Sequence, residues 1–163
     1  MSSFNSAFEG TLKWEDPSGR GVVTSDSGGL TRWGISQKAY PDLDIKNLTL
    51  EQAKSIYKKD YWDTRWEGIA SQNIANKLFD CCVNMGKKTG IRIVQRALVT
   101  MGERVAVDGV FGSATLLAAN RCDSQMLLTD MRAEACEYYS KIAGANPEKY
   151  ERYLAGWLRR ARS

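Results

Sequence analysis

Apolar residues return at three- and four-residue spacing in run after run of this chain, and nearly every run carries its own start or stop signal. That regularity restricts the chain to a mainly helical fold. In the opening run Phe4, Phe8 and Leu12 share a stripe that Glu15 continues. Asp16-Pro17 ends it, because proline moves the residue before it out of the α region. In "LTLEQAKSIYKKDYW", Thr49 and Gln52 have capping-box spacing, and Ala53, Ile56, Tyr57 and Tyr61 line one face. "NIANKLFDCCVNMG" sets Ile74, Leu78, Phe79, Cys82 and Met85 at helical spacing, with Gly86 as the stop. "TGIRIVQRALVTMG" repeats the pattern, with Thr89 as cap and Gly102 beyond the end. After an Asp108-Gly109 turn, Ser113 is expected to cap a short helix, and a longer one is expected over 124–142. Asn146 and Pro147 open the last helix, which turns Tyr150, Leu154, Trp157 and Ala161 inward. Only 19–34 breaks the pattern. It is polar and glycine-rich, with a β-prone patch at 22–24, and reads as a loop or small hairpin.

With 163 residues, the chain can bury a sizeable core as one domain without disulfides or metal. Cys81, Cys82, Cys122 and Cys136 form no CxxC pair and no zinc spacing, so they are expected to be reduced and packed as small apolar groups. No cofactor is called for. "MSSFNSAFEG" has no basic stretch followed by an apolar one, and no apolar run reaches membrane-spanning length. The expectation is a protein made and held in the cytosol until release. Net charge is +4, with basic residues gathered at Lys87-Lys88 and in "LRRARS". Such charge suits a polyanion, either nucleic acid or an anionic cell wall. No recognition helix or nucleic-acid signature accompanies it, so nucleic acid is not expected as a partner.

The chain has no histidine. That excludes Ser–His–Asp and Cys–His hydrolases and any His-ligated zinc hydrolase. A hydrolase of this composition would move its protons with carboxylates. Glu15 is the odd member of its apolar stripe. Partial burial there disfavours its charged form. The negative end of the helix dipole acts in the same direction. A carboxyl group so placed can keep its proton and serve as a general acid. Asp26 follows among Ser25, Ser27 and Gly28, a polar setting that favours an ionised carboxylate. Such a pair is what glycoside hydrolysis needs. Thr31 could hold a water, and Gly28-Gly29 would let the backbone approach a bulky substrate. On spacing alone, an ordinary surface acid at a helix end is the commoner reading of Glu15. Glu9 is one step off the stripe and reads as solvated; Asp16 reads as a turn residue.

The stretch "WED…SDSGGLTRWGIS" resembles glycoside hydrolase family 108, the phage and prophage lysozymes also known as secretion activators. The family pattern is a helix ending in Glu, a loop with Asp before Gly-Gly, a Thr, then Gly-Ile. Here these are Glu15, Asp26, Gly28-Gly29, Thr31 and Gly34-Ile35. "LFDCCVNMG", "IVQRAL", "VDGVFGSAT" and "GWLRRA" are similar to the predicted peptidoglycan-binding region of that family, so the likeness spans roughly 4–161. It implies a lysozyme-like α+β fold, a helical bundle with a small hairpin lobe near the N-terminus. Residues of about 1–70 would form the catalytic part and about 71–163 a helical peptidoglycan-binding part that is not independent. It implies an endolysin that cleaves the β-1,4 bond between N-acetylmuramic acid and N-acetylglucosamine. Glu15 would be the general acid, with Asp26 and Thr31 completing the set. The chain departs from the pattern at Asp16-Pro17, where the family has Gly-Gly. It departs again in the longer stretch between Glu15 and Asp26, and at Arg32-Trp33, where the family often has Asn and an aromatic residue.

Glycan grooves favour aromatic side chains with a polar edge. Tyr61 and Trp62 in "KKDYWDTRW" are candidates, with Trp66 assigned to the core. Asn84 beside the Gly86 stop could read an N-acetyl group. Of Tyr138 and Tyr139, one is expected in the core and the other along the groove. Trp157 is assigned to the core. The expected partners are peptidoglycan, a holin-like protein for release, and an anionic outer membrane met by the basic C-terminal helix. The protein itself is expected to be a monomer. A noncatalytic peptidoglycan-binding or secretion-accessory protein of the same fold is the alternative.

Overall fold

The computed structural model describes residues 1–26 and 29–163, with Asp26 described through its backbone. Among them the helices are α1 (Phe4–Glu15), α2 (Leu50–Tyr61), α3 (Gln72–Met85), α4 (Lys87–Thr100), α5 (Ser113–Arg121), α6 (Ser124–Ala145) and α7 (Pro147–Arg162). Short 3₁₀ turns lie at Ile45–Asn47 and Thr64–Gly68. The 19–34 break and the two residues after it hold a small antiparallel sheet in the order β1 (Thr24–Asp26), β2 (Gly29–Arg32), β3 (Ile35–Ser36). The β-prone 22–24 patch enters this sheet only at Thr24. The chain is thus mainly α, with a small sheet near the N-terminus. No helix among the described residues is long and apolar enough to cross a membrane.

The capping signals explain most helix boundaries. Thr49 and Gln52 form the reciprocal capping box. Asn146 accepts a hydrogen bond from the Lys149 N–H, and Pro147 takes the first helical position. Three starts and stops differ from expectation. Gly86, at φ 87°, ends α3 and at once begins α4, so Thr89 lies inside the first turn and caps nothing. Gly112 holds the cap position of α5, and Ser113 is its first helical residue. Asp123 caps α6 by accepting from the N–H groups of Gln125 and Met126, and the helix runs to Ala145, one turn past residue 142, before Asn146-Pro147 stops it.

The core is continuous from Phe4 to Ala161. At its N-terminal end an aromatic cluster fixes α1. Phe4 meets Trp62 at 5.6 Å and Phe79 at 5.7 Å, both edge-on, and Phe8 meets Tyr57 at 5.5 Å. Such pairs contribute about 0.5–1.5 kcal/mol each beyond the area they bury, so the cluster sets the helix in one position. α3 and α4 approach so closely that a Cβ on Gly90 would lie 2.5 Å from the Cys82 nitrogen. Cys81 and Cys82 are buried free thiols, and burial pushes the Cys81 thiol up to about 12.

Candidate active site

Glu15 is the last residue of α1 and therefore inherits the position that the aromatic cluster gives that helix. Its side chain is 20% exposed. The hairpin reaches it from the opposite side. Arg32 pairs with Ile35, leaving Trp33 (φ 55°) and Gly34 (φ 76°) as the two turn residues. Two successive positive φ angles are those of a type I′ turn, which matches the twist of the flanking strands. Gly34 is needed there twice over. An L side chain is strained at its φ, and a Cβ would lie 2.3 Å from Tyr57 Oη and 2.7 Å from Glu15 Cβ.

Several hydrogen bonds hold the hairpin in register with this helix end. Tyr57 Oη donates to the Trp33 carbonyl at 3.1 Å, and Trp33 Nε1 donates to the Leu48 carbonyl at 3.2 Å. Arg32 Nε donates to the Gly21 carbonyl at 2.8 Å and Nη1 to the Lys46 carbonyl at 2.7 Å. The segment after Glu15 is organised by Asp16. Its carboxylate accepts from the Ser18 and Gly21 N–H groups and from the Ser18 hydroxyl. Burial opposes the Asp16 charge more than any single contact favours it, but these hydrogen bonds together outweigh it and hold the carboxyl below its ordinary range. Asp16 is thus a turn organiser, tied up by its own loop. Between helix end, loop and hairpin lies a cleft of about 250 Å³, lined among others by Glu15, Thr24, Thr31, Arg32 and Trp33.

On its other side Glu15 meets a cation supplied by the far end of the chain. Arg160 Nη2, on α7, lies 2.7 Å from Glu15 Oε1 and 2.9 Å from Asp80 Oδ1. Arg160 Nε also donates to Asp80 Oδ1 at 3.0 Å. Burial works against the Arg160 charge, Asp80 and Glu15 work for it, and the balance lifts the guanidinium above its ordinary range. Burial and the helix dipole at Glu15 are legible in the sequence; this cation is not. Although "LRRARS" looks like a basic tail, Arg160 within it is buried and turned inward.

The other residues singled out in the sequence are distributed as follows. Thr31 is half-buried on β2 and shares the cleft with Glu15. Asp26 has its backbone in β1, paired with Gly29; its side chain and Gly28 lie outside the described residues. Tyr61, Trp62, Asn84, Tyr138 and Tyr139 do not line this cleft. Trp62 is 5% exposed because it closes the aromatic cluster against Phe4, Trp66 and Phe79, so it has no free face for a sugar. Tyr139 is 3% exposed, stacked on Trp157 at 5.2 Å, and its hydroxyl accepts from Asn84 Nδ2. Tyr61 is half-buried beside Tyr57, and Tyr138 is half-buried edge-on to Tyr139. No group of His, Cys, Asp and Glu among the described residues is placed to hold a metal ion.

Sequence reasoning missed Trp33, Tyr57, Asp80 and Arg160 as parts of this site. One signal was available: Asp80 stands inside the apolar run "LFDCCV", where a carboxylate needs a buried partner. A second cavity of about 330 Å³ opens on the far side of the Asp80 bridge, between α1, α3 and α6, with Thr11, Lys77 and Arg132 in its wall. Glu15 does not line it.

Comparison with known proteins adds the family. Residues 8–86 match the model of Glycosyl hydrolase 108, and residues 89–162 match that of the Predicted Peptidoglycan domain. No curated protein matches the sequence. The solved structure of Brucella abortus SagA has a similar fold, with a TM-score of 0.62 at 19% identity, covering 98% of this chain and 96% of that one. The mainly helical, lysozyme-like architecture is in keeping with that likeness. Residues 8–86 of the chain are thus similar to the glycosyl hydrolase 108 family and residues 89–162 to the Predicted Peptidoglycan domain, and the two matches together support a protein that acts on peptidoglycan.

Proposed function

We propose that the protein is an N-acetylmuramidase that cleaves the β-1,4 bond between N-acetylmuramic acid and N-acetylglucosamine. The observation that carries this reading is the placement of Glu15, which ends a rigidly docked helix in the wall of a cleft whose opposite wall, from the hairpin, contains Thr31. In this reading Glu15 donates its proton to the leaving glycosidic oxygen. An ionised carboxylate, assigned to Asp26 by the family resemblance, and the Thr31 hydroxyl handle the water or the developing positive charge. The anionic wall polymer suits the chain's net charge of +4. A cytosolic enzyme of this kind would reach its substrate through a holin-like partner and lyse the cell.

The alternative, a noncatalytic peptidoglycan-binding protein, draws support from the same Glu15–Arg160 ion pair, since such pairs are also purely structural devices. Glu15→Gln separates the two. The variant should remain folded and lose nearly all turbidity-clearing activity on chloroform-treated Gram-negative cells. Clearing at the wild-type rate by that variant would remove Glu15 from catalysis.

A further inference from the structure

We infer that Arg160 is a positioning residue for Glu15, so that the C-terminal helix completes the catalytic site in the hydrolase part of the chain. The inference rests on the reading of Glu15 as the general acid. Three observations carry it. First, Arg160 is buried in the gap between Glu15 and Asp80, within 3 Å of both carboxylates. One buried guanidinium between two carboxylates holds the Glu15 carboxyl group toward α7 by ion pairing and shares its charge between the two. Second, the end of α7 is latched in place. Lys77 Nζ donates to the Arg160 carbonyl at 3.0 Å, and Arg132 Nε donates to the Ser163 carbonyl at 2.9 Å. Third, the neighbouring turns of α7 are seated by stacking of Trp157 on Tyr139. The helix is therefore tied down on both sides of Arg160.

The electrostatic consequence has a definite sign. Around Glu15 stand Asp16 on its own segment, Arg32 on the hairpin, Tyr57 and Tyr61 on α2, Asp80 on α3 and Arg160 on α7. The Arg32 guanidinium is spent on the Gly21 and Lys46 carbonyls. Around Arg160 stand Glu15, Asp80, Lys77, Cys81, Tyr57 and Tyr139. Arg160 thus sets a positive charge against the Glu15 carboxyl group, and Asp80 takes part of that charge.

The test is the pH dependence of kcat/KM on purified peptidoglycan for the full-length protein, whose basic limb reports the general acid. Arg160→Gln should move that limb up by about one pH unit, because an opposite charge at this range shifts a carboxyl group by about 1–3 units; Asp80→Asn should move it down, because the guanidinium then faces Glu15 alone. Arg160→Lys, which keeps the cation, should stay near the wild-type limb. If Arg160→Gln does not fold, Asp80→Asn alone still carries the sign. Limbs that stay at the wild-type pH while rates fall would reduce Arg160 to a structural residue and overturn the inference. Full hydrolysis by Glu15→Gln in the same assay would overturn the functional reading itself, a result distinct from unmoved limbs.

Discussion

At the scale of single residues, the site depends on close approach. Gly34 leaves no room between Tyr57 and Glu15, and it sits at a positive φ. Gly34→Ala should therefore lower stability by about 1–3 kcal/mol, through overpacking and backbone strain together. The same variant should displace Glu15 and reduce hydrolysis. Urea unfolding combined with a rate measurement checks both; a variant as stable and as active as the wild type would show that the hairpin does not press on the acid. This contact was only partly legible in the sequence. Glu15 stood out because it continues an apolar stripe, a local and periodic signal. Arg160 did not, because its partners lie on α1 and α3, far away in the chain, and its neighbours in "LRRARS" made it look like one of several surface cations. Helical periodicity reports which face a residue is on and says nothing of what a distant segment places against it.

At the scale of elements, legibility followed the strength of local chemistry. The Thr49–Gln52 box and the Asn146-Pro147 start are made within one turn, and both stand where the sequence puts them. The start of α4 was misplaced because Gly86 serves two helices at once, which leaves Thr89 no terminus to cap. The aromatic candidates Trp62 and Tyr139 were misjudged for a different reason. Composition marks an aromatic residue as useful to a groove, but packing decides whether its face is free, and here Phe4, Phe79 and Trp157 cover them. Thr49→Ala should cost about 1 kcal/mol, since it removes one side of the capping box. Because α2 meets the site through Tyr57, about two turns beyond Thr49, the folded variant should keep its hydrolytic rate within about twofold, and a urea midpoint alongside that rate checks the claim.

At the scale of the whole molecule, two family segments meet at Gly86, the residue that joins α3 to α4. They share one apolar cluster, and the second returns at its end to place a cation on the candidate acid of the first. This arrangement gives the segment that matches the hydrolase family a reason to travel with its helical companion, because the surroundings of Glu15 are incomplete without α7. The absence of histidine leaves carboxylates to carry the chemistry, and the cleft holds one at the end of a fixed helix. The most direct measurement is mass spectrometry of the products released from purified peptidoglycan by the wild-type protein and by Glu15→Gln. The account predicts fragments ending in reducing N-acetylmuramic acid from the wild type and none from the variant; reducing N-acetylglucosamine ends, free stem peptides, or equal release by the variant would contradict it.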